Sequence, residues 1–397
     1  MQQPQRRQRA FGDLLPRSPE DLPRVYAWFE QMRSNQPVFQ TEPLPFWQVF
    51  RYEDVQTVIT DHHRFSSEAT FGDSFLANTL VTTDPPDHRK LRNLVNQAFT
   101  PRAVTRLSHR VTQISQELLD AVKATGHMDV VADIAFPLPA KIIAEMLGVP
   151  AEDWDIFQRW ARFGGARENE GSREQAEGSG RNMRQEMDHY FLRLLEARRQ
   201  DPRDDLITSL SKAEIDGERL SQQELVNFCF LLLAAGQETT KNLIANAILC
   251  LTDHPDSLAQ LQRQPALIPT AIEEMLRYLP PVWFLFRRTT QDVELGGQHI
   301  PANQMILAWV ASANRDAEQF PQADRFNIER EPNRHFAFGH GIHFCVGAPL
   351  ARLEAKIVLP MMLEQLKDLK RVQGVPIGIH TGIVFVIGNL PITFQAA

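Results

Sequence analysis

Residues 338–352 read Phe-Gly-His-Gly-Ile-His-Phe-Cys-Val-Gly-Ala-Pro-Leu-Ala-Arg, with glycines on both sides of a single cysteine, Cys345. Glycine adopts positive φ angles and lets the backbone approach a flat partner closely. The stretch therefore predicts a tight loop whose amide N–H groups point at the cysteine sulfur. A helix is predicted directly afterwards, with Pro349 in its first turn. N–H donors and the positive end of a helix both favour a thiolate, which is a strong metal ligand.

Two other interpretations of this stretch stay open on the residues alone. A lone cysteine in a glycine-rich turn is usually a small buried hydrophobe. Cys345 could also bind zinc together with His340 or His343, although no second cysteine lies nearby. The whole pattern from Phe338 to Gly347, Phe-Gly-x-Gly-x-His-x-Cys-x-Gly, closely resembles the haem-binding loop of the cytochrome P450 haem-thiolate monooxygenases. In that family the cysteine thiolate is the fifth ligand of the haem iron.

The resemblance implies that haem b is the cofactor and that Cys345 is the metal ligand. It assigns haem contacts to the cysteine loop, by which we mean residues 338–347, and to residues elsewhere in the chain. The cofactor-binding residues implied in this way are Cys345, Phe338, Gly339, Gly347, His343, Ala235, Gly236, His88, Arg92 and Arg287.

Four of these residues are basic. His88 and Arg92 are four residues apart on a predicted helix, so both project from one face, which on sequence alone could be a solvated basic surface. The resemblance makes them ligands of one haem propionate and places Arg287 at the other. Together with His343, these groups would balance the charge of two propionates.

A long helix is predicted from the capping box at Ser221 to about residue 253, where His254-Pro255 follows. Its 32 or so residues would span about 48 Å at 1.5 Å per residue. The middle of the helix, residues 235–240, reads Ala-Gly-Gln-Glu-Thr-Thr, and polar groups there need partners or a function. A kink in which a threonine bonds a carbonyl one turn earlier explains them equally well.

The same segment resembles the oxygen-binding groove of the family. On that resemblance Thr239 and Glu238 are the catalytic residues. Thr239 would hydrogen-bond the bound dioxygen, and Glu238 would help deliver protons through water.

Substrate contacts are expected mainly from apolar side chains. Residues 66–83 lack a clear periodicity and could be an ordinary surface loop, but the resemblance places them over the distal face of the haem. An apolar run that begins at Val282 predicts a strand that borders the same pocket. The candidate substrate contacts are Phe71, Phe75, Leu76, Leu80, Val81, Leu232, Val282, Phe284, Leu285 and Ile383.

Composition narrows the class of protein. The net charge of −7 argues against a nucleic-acid partner, and three widely spaced cysteines indicate no disulfide framework and a reducing compartment. The first ten residues are polar and basic, unlike a signal peptide, and no segment approaches the roughly 18 consecutive apolar residues of a transmembrane helix. We therefore expect no membrane association, a cytoplasmic location and a resemblance to the soluble bacterial members of the family.

The predicted fold is mainly α-helical with a small β-rich subdomain, and the long central helix lies over the haem. Residues 1–20 are expected to form a loose N-terminal arm, and residues 21–397 a single monooxygenase domain. Residues 164–181 are rich in glycine and charge and predict a mobile loop. Glu274 and Arg277 match the Glu-x-x-Arg motif of the family and are interpreted as structural.

The implied activity is monooxygenation, in which O2 and two electrons give one oxygen atom to an apolar substrate and one to water. Electrons must come from separate proteins, which we expect to be a ferredoxin and its reductase. A basic surface near the cysteine loop would steer such an acidic partner, and it would comprise Arg89, Lys90, Arg102, Arg334, Arg352 and Lys356. Two alternatives remain, a peroxygenase that uses hydrogen peroxide directly and a haem-based sensor without turnover.

Overall fold

A computed structural model describes residues 15–41, 46–68, 79–163, 173–215 and 217–396. Helices form most of these residues, and the strands are short. The helices are α1 (Leu22–Asn35), α2 (Tyr52–Thr60), α3 (Asp87–Ala98), α4 (Pro101–Arg106), α5 (Ser108–Val122), α6 (Pro137–Met146), α7 (Trp154–Phe163), α8 (Arg173–Gln200), α9 (Leu206–Lys212), α10 (Gln222–Leu231), α11 (Gln237–Asp253), α12 (Pro255–Arg263), α13 (Ile268–Tyr278), α14 (Val310–Ala313) and α15 (Ala348–Gln365).

The strands form one mixed sheet and several smaller ones. They are β1 (Val38–Gln40), β2 (Trp47–Val49), β3 (Phe65–Ser66), β4 (His127–Asp129), β5 (Glu214–Ile215), β6 (Glu218–Arg219), β7 (Leu285–Thr289), β8 (Val293–Leu295), β9 (Gln298–Ile300), β10 (Met305–Ala308), β11 (Leu366–Arg371), β12 (Ile379–Thr381), β13 (Phe385–Ile387) and β14 (Pro391–Ala396). The mixed sheet has the order β1-β2-β10-β7-β3, and β11-β14-β4 form a second sheet. The predicted class, mainly α with a small β-rich part, is confirmed.

The long helix predicted from Ser221 is continuous but changes its winding in the middle. Ser221 accepts a hydrogen bond from the Glu224 amide, and the Glu224 carboxylate accepts one from the Ser221 amide, so the capping box is present. The α10 segment passes into a π-helical turn, Leu232–Gly236, and then into α11. A π turn inserts one extra residue and often marks a functional position. The polar motif of residues 235–240 lies at this turn.

A buried ion-pair network holds the segment that precedes the cysteine loop. Glu274 and Arg277 of α13 are both fully buried, and the two side chains form two hydrogen bonds of 2.7 and 2.8 Å. Arg277 also donates to the carbonyl oxygens of Asn314 and Ala323, each at 2.8 Å. The structural role predicted for this pair therefore has a geometric basis, since it ties α13 to the chain that leads into the cysteine loop.

Two expectations about flexible segments need correction. Residues 15–20 are not a loose arm, because the Arg17 carbonyl accepts from the Ile379 amide, and Pro19–Asp21 form a turn of 3-10 helix. Residues 173–181 belong to α8, so the predicted loop of residues 164–181 ends by residue 172. Helix-favouring residues such as glutamate, glutamine and alanine outweigh the cost of two glycines, about 1 kcal/mol each. Residues 1–14 and 164–172 lie outside the described residues.

Glu354 is a buried acid in α15. Its side chain is 1% exposed, and its Oε2 has no hydrogen-bond partner among the described residues. Burial raises the pKa of this carboxyl from 4.5 to about 8. The native state therefore holds a proton that the unfolded chain releases at lower pH.

This raised pKa predicts how stability changes with pH. Between about pH 4.5 and about pH 8 the unfolded state binds fewer protons than the native state, so the free energy of unfolding must fall as pH rises. The full penalty is on the order of 5 kcal/mol. We expect Glu354→Gln to remove this loss of stability at high pH. The melting temperature of the variant relative to wild type should therefore be higher at about pH 8 than at about pH 5.

The exposed Glu364→Gln change on the same helix provides the control, because it alters charge without altering burial. Melting profiles of Glu354→Gln that run parallel to wild type over this pH range would contradict the prediction.

Candidate functional site

A cavity lies between the π turn of the long helix and the cysteine loop. Ala235, Gly236 and Thr239 of the long helix line it, and so do Phe338 and Cys345 of the cysteine loop. The structure thus brings the predicted cysteine and the predicted threonine to the same cavity, although 106 residues separate them in the sequence. The side chains of a cysteine and a threonine therefore border one cavity.

The cysteine loop turns tightly, as the glycines predict. Gly339 and Gly341 have φ angles of 68° and 71°, a region in which other residues are strained. A Cβ on Gly341 would also lie 3.2 Å from the Cα of Thr60, so the loop packs closely on α2. The Cys345 amide donates to the Phe338 carbonyl at 2.9 Å, which closes the loop.

Cys345 lies just before the N-terminal end of α15, and its exposed surface faces the cavity. Desolvation raises the pKa of the thiol, while the backbone N–H groups of Gly347 and Ala348 and the charge of Arg92 act to lower it. The donors that stabilise a thiolate are therefore in place, and burial is the effect that opposes them. A cation bound to the sulfur would compensate for that burial.

A basic group lines one side of the cavity, and its members are His88, Arg92, Arg287 and His343. Arg92 donates to the Phe344 carbonyl at 2.7 Å, and Arg287 donates to the Phe286 carbonyl at 2.7 Å. The Nε2 atom of His343 lies 2.9 Å from the Ser67 hydroxyl. All four residues predicted as propionate ligands are thus gathered in one place.

The electrostatics of this basic group suit an anionic ligand. Burial lowers the pKa of His88 to about 4 and that of Arg287 to about 10. The Nε2 atom of His88 is buried and has no partner among the described residues, and its ring centroid lies 4.3 Å from that of His343. None of the described residues that line the cavity carries a carboxylate. Four basic side chains around an apolar cavity fit a flat apolar molecule with two acidic groups, which is the character of haem b.

The two predicted catalytic residues face in different directions. Thr239 lines the cavity, and its hydroxyl donates to the Ala235 carbonyl at 2.7 Å across the π turn. Glu238 does not line the cavity. Its carboxylate instead lies 2.6 Å from the ammonium group of Lys241 on the other side of the helix. The sequence motif predicts the pair as a unit, but the structure brings only the hydroxyl to the cavity.

The predicted substrate contacts divide into three groups. Leu80, Val81, Leu232, Val282 and Leu285 line the cavity. Phe71, Phe75 and Leu76 lie outside the described residues.

Phe284 and Ile383 do not line the cavity, so the expectation for these two residues is corrected. The ring of Phe284 packs on Trp309 with centroids 5.0 Å apart, because neighbouring side chains of an extended chain point to opposite faces. Ile383 lies in the turn between β12 and β13 and is 41% exposed.

Other lining residues were not anticipated from the sequence. Phe228 and Leu231 precede Leu232, Ala235 and Thr239 at helical spacings of three or four residues, so the helical period could have identified them. Ile143 and Met146 of α6 also reach the cavity, and no local signal in the sequence indicates this. These side chains make the wall opposite the basic group almost wholly apolar.

The alternative that Cys345 binds zinc with His340 or His343 has no support among the described residues. Among the described residues no cluster of three or more histidine, cysteine, aspartate or glutamate side chains could hold a metal ion. A single cysteine that lines a large, mainly apolar cavity is instead typical of a haem-thiolate site.

These features, a thiol, a hydroxyl and four basic side chains that line one largely apolar cavity, are those of a haem-thiolate enzyme. The family model for cytochrome P450 matches residues 173–394, and the chain belongs to the cytochrome P450 family. The cyclomarin C epoxidase CymV of Salinispora arenicola is 40% identical over 361 residues, which cover 89% of this chain and 91% of CymV.

Solved structures agree in fold over nearly the whole chain. Cytochrome P450 CYP109Q5 from Chondromyces apiculatus superposes with a TM-score of 0.88 at 40% identity, covering 96% of this chain and 97% of that one. CYP109E1 from Bacillus megaterium, solved in complex with testosterone, gives a TM-score of 0.86 at 38% identity, covering 93% of this chain and 98% of that one.

The protein is accordingly an oxidoreductase that uses haem b. It is a monooxygenase that uses O2, receives electrons from a redox partner, and inserts one oxygen atom into an apolar small molecule. Among the helices of the described residues, none is long and apolar enough to cross a membrane.

Proposed function

We propose that Cys345 would bind the haem iron through its thiolate and that Thr239 is the catalytic hydroxyl in the same cavity. The observation that supports this assignment is the shared cavity, because Cys345 and Thr239 both line it. When bound, haem supplies the activation of dioxygen and the transfer of one oxygen atom to the substrate. The remaining tasks, which are orientation, exclusion of water and control of protons, belong to the side chains of this chain.

We assign the two propionates to the basic group of His88, Arg92, Arg287 and His343. Each of these side chains is at least partly desolvated, and desolvation lowers the pKa of all four of them. A dianion would restore the favourable interaction that burial removes, because each basic group would gain a charged partner. Phe338, Gly339, Gly347, Ala235 and Gly236 line the faces of the same cavity and would contact the macrocycle.

Thr239 would control protons at the cavity wall. Its hydroxyl donates to the Ala235 carbonyl, so its oxygen can accept a hydrogen bond from a group inside the cavity. A positioned hydroxyl or carboxyl group contributes about 100-fold to 10,000-fold to reactions limited by proton transfer. Glu238, the adjacent acid, would supply protons by way of water.

We expect Thr239→Ala to uncouple the reaction. The variant should bind haem and substrate normally and continue to consume reductant, while product formed per electron falls and hydrogen peroxide makes up the difference. Product and peroxide measured against reductant consumed provide the test. Thr239→Ser, which keeps the hydroxyl, is the matched control and should stay coupled. Full coupling of Thr239→Ala would show that the hydroxyl only shapes the helix.

The substrate is proposed to be a largely apolar molecule that lies against the wall of leucine, valine and phenylalanine side chains. The cavity is lined by Leu80, Val81, Leu232, Val282 and Leu285. None of the described residues that line it has a carboxylate that could bind a basic group of the substrate. Relatives named as an epoxidase and as a testosterone complex support hydroxylation or epoxidation of a bulky apolar compound. Screening such compounds for a change in haem spin state would identify ligands directly.

The redox partner is proposed to be a ferredoxin supplied by a ferredoxin reductase. Of the basic side chains predicted around the cysteine loop, Arg89, Arg102, Arg334 and Lys356 are exposed. Arg352 and Lys90 contribute less, because Arg352 forms an ion pair with Glu273 at 2.7 Å and Lys90 one with Glu218 at 3.3 Å. The exposed group leaves a positive surface although the net charge is −7.

Electron transfer from this partner should depend on salt. Charge attraction between exposed groups is screened over roughly 10 Å at 0.1 M ionic strength, so the rate of reduction by an acidic ferredoxin should fall as salt rises. The double variant Arg102→Glu/Lys356→Glu should slow reduction and leave substrate binding intact. Lys370→Glu, an exposed charge on β11, is the control. Reduction that is independent of salt would contradict the proposal.

We also propose a cytoplasmic location, which fits three free cysteines and electron supply by a ferredoxin. Cell fractionation followed by a haem assay would test it.

A further inference from the structure

A second cavity, of about 380 Å³, lies between α1, the last turns of α11 and the end of α13. Its most buried lining residues, Leu249, Cys250 and Leu279, are 1%, 3% and 3% exposed, so its interior is mainly apolar. Among the described residues, none that lines this cavity also lines the haem cavity. A volume of this size is within the range of about 300–1,000 Å³ that is usual for small-molecule sites.

The strong hydrogen-bond donors of this second cavity are already bound to protein groups. Arg315 is 4% exposed, and its guanidinium lies over the rings of Tyr26 and Tyr278, 4.0 and 3.6 Å from the two centroids. It donates to the Tyr278 carbonyl at 2.9 Å and to the Asp324 carboxylate at 3.1 Å. The Tyr26 hydroxyl donates to the same carbonyl at 3.2 Å. This wall is therefore rigid and offers no strong donor to a ligand.

The acceptors of the cavity, in contrast, have free capacity. Three carboxylates line its solvent side, those of Glu30, Asp253 and Asp324, and all three residues are exposed. The Glu30 carboxylate forms no hydrogen bond or ion pair with any residue that the structure describes. Asp253 binds Arg371 through Oδ1 at 2.7 Å, and Asp324 binds Arg315 through Oδ1, which leaves the Oδ2 atom of each for a ligand.

Two further features of the lining favour a cation. Desolvation raises the pKa of Asp253 although Arg371 acts to lower it, so another positive group beside this carboxyl would be stabilised. The Nδ1 atom of His254 lies 2.8 Å from the Cys250 carbonyl, which can only accept. Nδ1 therefore carries the hydrogen, and Nε2 of the neutral ring is one more acceptor.

We infer that the second cavity is a binding site for an organic cation, a molecule with a primary ammonium group on an apolar body. The apolar body would pack against Leu249 and Leu279, and the ammonium group would donate charge-assisted hydrogen bonds to the carboxylates of Glu30, Asp253 and Asp324. The four basic side chains of the haem cavity would repel the same molecule, so charge separates the ligands of the two cavities. The inference does not depend on the proposed roles of Cys345 and Thr239.

Calorimetric titration of the holoenzyme with 3-phenylpropylamine, which is a cation at neutral pH, tests this site. We expect one molecule to bind per protein while the absorption spectrum of the haem stays unchanged. The neutral alcohol 3-phenyl-1-propanol has the same apolar body and should bind at least about tenfold more weakly, because it lacks the charge. Binding of the amine should also weaken as salt rises.

Two variants locate the bound molecule. Glu30→Gln removes an exposed carboxylate that has no partner among the described residues, so the fold should be unaffected while the dissociation constant rises about threefold. Ala27→Phe adds a ring at an exposed position of α1 that lines the cavity, and it should abolish binding. Glu364→Gln, an exposed change on α15 outside the cavity, is the control. Haem content and melting temperature verify that each variant is folded.

The inference is overturned if the amine does not bind, or if Glu30→Gln and Ala27→Phe both bind it as tightly as wild type. Binding that shifts the haem spectrum and is unaffected by Ala27→Phe would place the amine in the haem cavity and would also contradict it. Equal affinity for the amine and the alcohol would show that the carboxylates do not recognise a charge.

Discussion

Cys345→His should yield a protein that still binds haem but has lost both turnover and the spectrum of thiolate ligation. The backbone donors of Gly347 and Ala348 and the charge of Arg92 stabilise negative charge on the residue-345 side of the cavity. A neutral imidazole uses none of that stabilisation and does not donate the electron density by which a thiolate favours O–O cleavage. The reduced, carbon monoxide-bound form of the variant should therefore lack the red-shifted band.

The other two cysteines provide the control for this prediction. Cys229 and Cys250 are buried in the long helix, and burial strongly raises the pKa of both thiols, as expected for inert core residues. Cys229→Ala should keep the thiolate spectrum and activity. A Cys345→His protein with an unchanged carbon monoxide spectrum would refute the ligand assignment.

Arg277→Met should have the largest effect on folding. The guanidinium is fully buried and donates to the Glu274 carboxylate and to the carbonyl oxygens of Asn314 and Ala323. Glu274 also accepts from the Asn327 amide at 2.8 Å and pairs with Arg330 at 3.1 Å. Removing one partner of a buried ion pair costs about 3–5 kcal/mol. Arg330 would still pair with Glu274, but the buried carbonyl oxygens of Asn314 and Ala323 would also lose their Arg277 donor.

That cost is a large part of the roughly 5–15 kcal/mol by which proteins are stable. We expect Arg277→Met to yield little soluble holoprotein, and any recovered protein to unfold at a clearly lower denaturant concentration. Arg325→Met, which removes an exposed arginine from the same segment, should leave the unfolding midpoint nearly unchanged. A wild-type midpoint for Arg277→Met would mean that the network does not stabilise the fold.

The sequence predicts well those elements of the site that are determined by residues close together in the chain. The positive φ angles of Gly339 and Gly341, the proline that begins α15 and the capping box at Ser221 are all local features. The change of winding in the long helix is local too, because glycine and threonine near its middle disfavour a regular buried helix. Spacing alone is sufficient to indicate such elements.

What could not be predicted depends on contacts between distant residues. The direction of Glu238 is decided by Lys241, Asn242 and a strand more than 140 residues away, so the motif alone does not show which side of the helix the acid faces. Ile143 reaches the cavity only because α6 packs on the long helix. In the same way, Phe284 turned out to face Trp309 rather than the cavity.

The most direct test of the whole account is turnover under isotopically labelled dioxygen. Holoenzyme, ferredoxin, reductase, a reductant and a ligand found by the spin-state screen would be incubated with 18O2 in ordinary water, and the product analysed by mass spectrometry. We predict that each product molecule carries one 18O atom, that formation requires the reductase, and that catalase does not prevent it. Unlabelled product, or product that forms from hydrogen peroxide alone while 18O2 is not consumed, would contradict the assignment as a dioxygen-dependent monooxygenase.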